Sequence, residues 1–199
     1  MPNSDLRIGV TMRVLQAQGY FEPSDALAQN WSNFLRVALP DAAWLPVPNV
    51  GAKGVRVYCE RWGINRLILT GGEDIGVSVI RDVTERELLI WAKEMAVPIL
   101  GVCRGMQLMA VWAGATLRPV KGHVRTRHIL QGDFAHEVNS FHNLGLAACP
   151  QGFEVSARSE DGEIEAMRHL ESRWEGWMWH PERETHQSAD IDGLQRLFG

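Results

Sequence analysis

Pro98-Ile99-Leu100-Gly101-Val102-Cys103-Arg104-Gly105-Met106-Gln107 decides the reading of this chain. Pro98–Val102 is a short apolar run of the kind that makes a buried strand, and Arg104–Ala113 reads as a helix. Glycines stand two before and two after Cys103. That is the spacing of a nucleophile elbow, where a sharp strand-to-helix turn pushes one side chain into the open and needs small neighbours. The position also starts a helix, where partial positive charge favours a thiolate. The Arg104 amide would then face a developing oxyanion. The same stretch also fits a buried cysteine at a strand end, with glycines for close helix–strand contact. Cys59, in a helical pattern beside Tyr58, reads as packing, and Cys149 precedes Pro150 in a turn with no base nearby.

Outward from the elbow, short apolar runs alternate with helical stretches. Arg7–Met12 reads as the first strand, Asp25–Ala38 as a helix, Ala43–Val47 as an apolar run stopped by Pro48, and Val55–Trp62 as a helix. Arg66–Thr70 is a buried strand ending in Gly71-Gly72. Thr84–Met95 reads as a helix with Thr84 as N-cap and Glu87 completing a capping box. The second half is strand-rich: Thr116–Val120, Glu137–Phe141, Phe153–Ala157, Ile164–His169 and Gly176–Trp179, with Ala189–Phe198 closing as a helix. Strand–helix alternation predicts an α/β fold with a mostly parallel sheet flanked by helices. Ligands in such sheets sit beyond the carboxyl ends of the strands. The segments after Arg66–Thr70, Pro98–Val102 and Gly176–Trp179 are therefore the ones to search.

The 199 residues suit one domain, 1–199, whose core needs no staples. With 45 % hydrophobic and 22 % charged residues the chain reads as globular rather than disordered. A net charge of -4 argues against a general nucleic-acid binder. No apolar run reaches the ~20 residues that span a bilayer. The polar start Met1–Leu6 shows no secretory signal. Three scattered cysteines make a disulfide framework improbable, and a reducing cytoplasm is the expected compartment. The eight tryptophans should be mostly core or pocket walls, although exposed ones could build a homodimer.

A thiol at neutral pH needs a base. His180 follows an apolar strand in Gly176-Trp177-Met178-Trp179-His180-Pro181-Glu182, on the same sheet edge as Cys103. Glu182, past a proline that fixes the turn, could hold the imidazole tautomer. A surface histidine beside a salt-bridging glutamate fits those residues equally well. Thr70-Gly71-Gly72-Glu73-Asp74 could be only a tight turn. An oxyanion hole needs two donors, however, and the Gly72 amide could stand opposite that of Arg104.

Taken together and in order, Thr-Gly-Gly, Gly-Val-Cys-Arg-Gly-Met-Gln and Trp-His-Pro-Glu resemble the class I glutamine amidotransferase fold. Within it, Cys-Arg-Gly-Met-Gln and Val138-Asn139-Ser140-Phe141-His142 look like the γ-glutamyl-γ-aminobutyrate hydrolase family. The resemblance runs from Arg7 to Glu182. It implies a flavodoxin-like α/β domain, a Cys103–His180–Glu182 triad and a γ-glutamyl thioester. It also implies a glutamyl pocket at Gln107, Asn139, Ser140, Phe141 and His142, and no metal or organic cofactor. Leu144 stands where the family often has Gln, and Trp31 where it has Tyr. The chain is also shorter than typical members. These departures weigh against γ-aminobutyrate conjugates as substrates.

Lys121-Gly122-His123-Val124-Arg125-Thr126-Arg127-His128 is basic. Arg forks suit phosphate recognition, and a solvated basic loop is the alternative. The compact length and the motifs look like a branch that includes γ-glutamyl-CDP-amidate hydrolases. That resemblance implies a nucleotide moiety held near His123, Arg125, Arg127 and His128. A metal on His123, His128, His136 and His142 matches no standard zinc spacing. The expectation is a free-standing hydrolase of a small γ-glutamyl substrate, using neither a nucleic-acid polymer nor a membrane. The rivals are a glutaminase subunit feeding ammonia to a synthetase, a γ-glutamyl-γ-aminobutyrate hydrolase and a non-catalytic binding module.

Overall fold

In the computed structural model, which describes residues 6–185 and 187–199, the chain folds around one large sheet. The first four residues of the polar start, and Asp5, lie outside the described residues. The strands are β1 (Arg7–Thr11), β2 (Arg13–Gln16), β3 (Pro23–Ala26), β4 (Ala43–Val47), β5 (Arg66–Leu69), β6 (Ile99–Val102) and β7 (Leu117–Pro119). They continue as β8 (Val124–Gly132), β9 (Glu137–Phe141), β10 (Leu144–Leu146), β11 (Phe153–Ser159), β12 (Ile164–His169) and β13 (Trp174–Trp177). The helices are α1 (Asn30–Ala38), α2 (Gly51–Trp62), α3 (Val79–Glu94), α4 (Arg104–Trp112) and α5 (Ser188–Phe198), with a short 3₁₀ turn at Pro181–Arg183.

The sheet has nine strands in the order β4-β1-β5-β6-β13-β12-β11-β8-β9. Its body, β4 to β13, is parallel. Its central strands β5 and β6 are almost wholly apolar because both faces are covered. One face packs on α2, α3 and α4 through Val55, Leu88, Leu89 and Met109. The other carries α1 and α5 through Trp31, Phe34, Leu194 and Phe198. Beyond β13 the sheet continues antiparallel through β12, β11, β8 and β9. The pairs β2–β3 and β7–β10 form two small separate ribbons. No helix among the described residues is long and apolar enough to cross a membrane.

Four sequence expectations are corrected here. Asp25–Ala38 is not one helix: Pro23–Ala26 is a strand on Arg13–Gln16, and α1 starts only at Asn30. Asp25 is held instead by the Asn49 backbone N–H at 2.9 Å and its side-chain amide at 2.6 Å. Thr84 is not an N-cap, because α3 begins five residues earlier. The Thr84 hydroxyl donates to the Ile80 carbonyl at 2.7 Å and accepts the Gly51 N–H at 2.8 Å. Glu87 pairs with Arg56 across the α2–α3 interface instead of closing a capping box. The strand expected at Gly176–Trp179 lies two residues earlier, because it takes its register from β6, with Trp174 level with Ile99 and Trp177 with Val102. Finally, the solvated loop that is the alternative for the basic segment does not hold, because from Val124 onward the segment is strand β8.

Candidate active site

The sheet order makes β5, β6 and β13 neighbours. Their carboxyl ends bring the Gly71-Gly72 turn, Cys103 and His180 to one edge. Cys103 closes the β6 ladder by donating its N–H to the Trp177 carbonyl at 2.7 Å. It then turns with φ 51° and ψ -106°, a conformation that costs a non-glycine residue energy and recurs at functional sites. Gly105 permits that turn, since a Cβ there would run into the Leu69 backbone carbonyl. Cys103 is 7 % exposed.

His180 lies three residues past β13, and its Nδ1 stands 2.8 Å from the Glu182 carboxylate. Burial works against charge on this ring, but its hydrogen bonds to the Cys103 thiol and Glu182 outweigh that and raise its pKa to about 9. Asn139 fixes the backbone here. Its amide donates to the His180 carbonyl at 2.8 Å, and its oxygen accepts the His180 N–H at 3.0 Å. The Phe141 ring meets the imidazole edge-on, with centroids 6.0 Å apart. Gly71 lies against the other side, where a Cβ would sit 2.6 Å from His180 Cε1.

The other two thiols are differently placed. Cys59 is fully buried, and burial pushes its pKa up to about 12. Burial also raises that of Cys149. Neither has a base at hand.

Beneath the turn and the elbow runs a buried ionic chain. Arg81 donates to Glu85 at 3.0 Å, to Glu73 at 2.8 Å and to the Thr70 and Gly71 carbonyls at 2.8 and 3.1 Å. Arg104 continues it to Glu85 and, at 2.5 Å, to Asp82. Burial disfavours the Glu85 anion, but the two guanidinium groups hold its carboxyl below the usual range. Carbonyls pinned by Arg81 leave the Gly72 N–H without a partner among the described residues. The Arg104 N–H, in the first turn of α4, is likewise unpartnered.

The sequence-chosen pocket residues divide. Gln107 gives its amide to the Leu144 carbonyl at 2.9 Å. Ser140 donates to the His123 carbonyl at 2.8 Å, and Asn139 is spent on His180 and on Glu184. His142 and His123 are buried and face Glu165. Of the basic segment, Arg127 is already matched by Glu137 and Glu184, and His128 stacks on His123 at 4.2 Å. Arg125 is exposed at a bulge of β8 with φ 57°. The segment therefore does not converge as one phosphate cradle. His136 lies apart from the other three histidines, beside Asp190 and Trp179.

Sequence reasoning missed the cations that do line the cleft at His180. A small hollow of roughly 20 Å³ is bounded by Arg13, Trp31, Gly71, His180, Glu182 and Arg183. A second depression adds Asn30 and Arg36 around Glu182 and Arg183. Arg183 also lies over the Phe141 ring at 4.8 Å. These arginines come from separate elements, so no linear pattern flags them.

Residues 60–195 match the family Glutamine amidotransferase class-I. The chain is 28 % identical to a gamma-glutamyl-CDP-amidate hydrolase of Campylobacter jejuni, over 89 % of this chain and 90 % of that one. It is 33 % identical to a pyocyanine-specific anthranilate synthase component 2 of Pseudomonas aeruginosa, over 69 % and 68 % of the two chains. A glutamine amidotransferase structure from Thermotoga maritima superposes with TM-score 0.69 at 14 % identity, covering 96 % of this chain and 83 % of that one, and so shares the fold. A strained cysteine at a helix start, a histidine–glutamate pair on the adjacent strand end and a family match across both place this chain in the class I glutamine amidotransferase family.

Proposed function

We propose that the protein is a cysteine-dependent γ-glutamyl amide hydrolase. The observation that carries this is the buried His180 imidazole, its Nδ1 2.8 Å from the Glu182 carboxylate and the nearby Cys103 thiol helping to raise its pKa. His180 takes the thiol proton, and Cys103 attacks the γ-carbonyl. The tetrahedral oxyanion is received by the Gly72 and Arg104 amides. As the C–N bond breaks, the imidazolium returns the proton to the departing nitrogen and a γ-glutamyl thioester remains. His180 then draws a proton from water, which cleaves the thioester, frees L-glutamate and restores the thiol. Glu182 orients the ring throughout, and Asn139 holds its backbone. Gln107, with the wall formed by Ser140, Phe141 and His142, bounds the glutamyl end.

The substrate we favour is γ-glutamyl-CDP-amidate, with CDP-amidate as the second product. The Campylobacter relative supports this along nearly its whole length. The arginines at the cleft add support, because guanidinium forks suit a diphosphate. In this placement Arg13 and Arg183 take the phosphates, and Arg125 at the bulge is the remaining contact from the basic segment. The alternative, a glutaminase subunit supplying a synthetase, rests on the likeness to anthranilate synthase component 2.

The deciding experiment compares glutamate release from glutamine, γ-glutamyl-γ-aminobutyrate and γ-glutamyl-CDP-amidate. The expected result is a kcat/KM for the CDP-amidate conjugate at least ~100-fold above that for glutamine, and an Arg13→Gln loss confined to that conjugate. Equal, slow turnover of all three would remove the hydrolase reading and favour the partner-dependent glutaminase.

The raised pKa of His180 also links charge to stability. A group whose pKa is higher folded than unfolded stabilises the fold at low pH. Here that contribution is complete below about 6.5 and is lost as pH rises through about 9. Urea denaturation of wild type and His180→Asn across this window should show the wild-type advantage shrinking with rising pH. A gap that widens upward would contradict the imidazolium–carboxylate pair.

A further inference from the structure

His123, His142 and Glu165 form a buried cluster that the thiol chemistry does not use. They come from the residue before β8, the β9–β10 turn and β12, and are 1 %, 4 % and 0 % exposed. Each ring has an outer partner. His142 Nδ1 is 3.0 Å from the Leu144 carbonyl, which only accepts, so that nitrogen carries the proton. His123 Nε2 is 2.9 Å from the Asp161 carboxylate and donates in the same way. The inner nitrogens, His123 Nδ1 and His142 Nε2, present lone pairs whenever the rings are neutral, the form that binds a metal.

Both lone pairs face one carboxylate oxygen, Glu165 Oε1, at 3.2 and 3.4 Å. Among the described residues, neither nitrogen nor either Glu165 oxygen has a hydrogen-bond partner of good geometry. Three buried acceptors facing one another repel unless a cation or shared protons lie among them. Two bonds of about 2.0–2.1 Å at a tetrahedral angle separate their donor atoms by about 3.3 Å. All three ligand atoms lie within 4.8 Å of one another. The outer contacts repeat the pattern of metal-bound imidazoles, whose second N–H goes to a carboxylate or a backbone carbonyl.

We propose that His123 Nδ1, His142 Nε2 and the Glu165 carboxylate bind a divalent first-row transition cation, with zinc as the type. The site is a staple rather than a reaction centre. It ties three segments of the antiparallel half together beside the cleft. The Glu165 carbonyl accepts the Met178 N–H at 2.7 Å, two residues before His180. The Leu144 carbonyl that orients His142 also accepts the Gln107 amide. The cation thereby fixes the wall of the glutamyl pocket. The sequence hides the set because Glu165 is a lone acidic residue in an apolar strand, and the histidine spacing matches no standard zinc pattern.

The test uses the untagged full chain carrying Cys103→Ser, so that the reactive thiol does not compete for metal. After chelator treatment it is titrated with Zn²⁺, and separately with Co²⁺ to read visible bands of tetrahedral intensity. The expected result is one equivalent bound per chain and a melting temperature that rises with zinc. Glu165→Gln should abolish binding, and Asp161→Asn should weaken it by ~10–100-fold. Asp161 is half-exposed, so that variant should fold even if Glu165→Gln does not. His136→Ala, away from the cluster, should bind as its parent. No zinc uptake at neutral pH would overturn the site and leave shared protons to close the cluster. Unchanged affinity in Asp161→Asn and Glu165→Gln would place the metal elsewhere and overturn it equally.

Discussion

Cys103→Ala should lower glutamate release by ~10⁴-fold or more while the far-ultraviolet spectrum and the unfolding midpoint stay close to wild type. The size follows from the mechanism. Without the thiol no thioester forms, and what remains is whatever an oxyanion hole and substrate positioning do for direct attack by water. Stability should hardly change, because the side chain is small and its backbone position at φ 51° is strained with or without sulfur. Alanine relieves none of that strain and fills the same turn. Cys149→Ala is the matched control, since that thiol is half-buried and has its pKa raised by burial. Glutamate release would be followed by a coupled dehydrogenase on the best substrate of the panel. If Cys103→Ala kept more than about a hundredth of the activity, covalent catalysis would be excluded, because a nucleophile contributes more than that wherever it has been removed cleanly.

Arg81→Leu should destabilise the fold by about 3–5 kcal/mol, the usual cost of removing one partner from a buried charge pair. Arg81 is fully buried. Its loss leaves Glu85, also fully buried, with Arg104 as its one remaining guanidinium partner. It also deprives the Thr70 carbonyl of its donor and leaves the Gly71 carbonyl with only the Thr70 hydroxyl at 3.3 Å. Against a total stability of ~5–15 kcal/mol, this is a large fraction. Urea denaturation measures it directly. Arg81→Leu combined with Glu85→Leu should recover part of the loss, because it removes one of the three carboxylates that Arg104 alone would otherwise have to balance. A single variant within ~1 kcal/mol of wild type would show that the chain Glu73–Arg81–Glu85–Arg104–Asp82 is not what holds the turn and the elbow. Where folding survives, kcat should fall more than KM rises, since the Gly71–Gly72 backbone meets the reacting centre rather than the distal part of the substrate.

Much of this protein was legible in order along the chain. Leu67–Leu69 and Ile99–Val102 read as buried strand because a strand segment covered on both faces is apolar throughout. The elbow read from its own glycines, since the steric demand that places Gly105 is local. His180 and Glu182 read from a strand end and a proline turn two residues long. Elements whose identity depends on a distant partner did not read. Pro23–Ala26 shows a helical spacing into Leu27, yet it pairs with Arg13–Gln16. The basic start of Val124–Gly132 fits a solvated loop as well as it fits a strand. It is a strand because β9 and β11 offer it backbone partners on either side. The Thr84 capping box was chemically sound and misplaced, because Gly51 of another helix uses that hydroxyl.

By itself, then, the sequence determined the α/β alternation, the thiol at the elbow and the histidine–glutamate pair, all of which arise from short-range sterics and apolar patterning. Only the tertiary structure decided which polar groups remain free for a ligand. Asn139 and Ser140 carry the right chemistry for a pocket, but the fold spends them on His180 and His123. Arg127 suits a phosphate, but Glu137 and Glu184 already neutralise it. Arg13, Arg36 and Arg183 carry no distinguishing context in the chain, and the fold brings them to the cleft. A hydrogen bond or ion pair is fixed by atoms within a few ångströms, and which atoms those are is set by sheet order and register over separations of tens of residues.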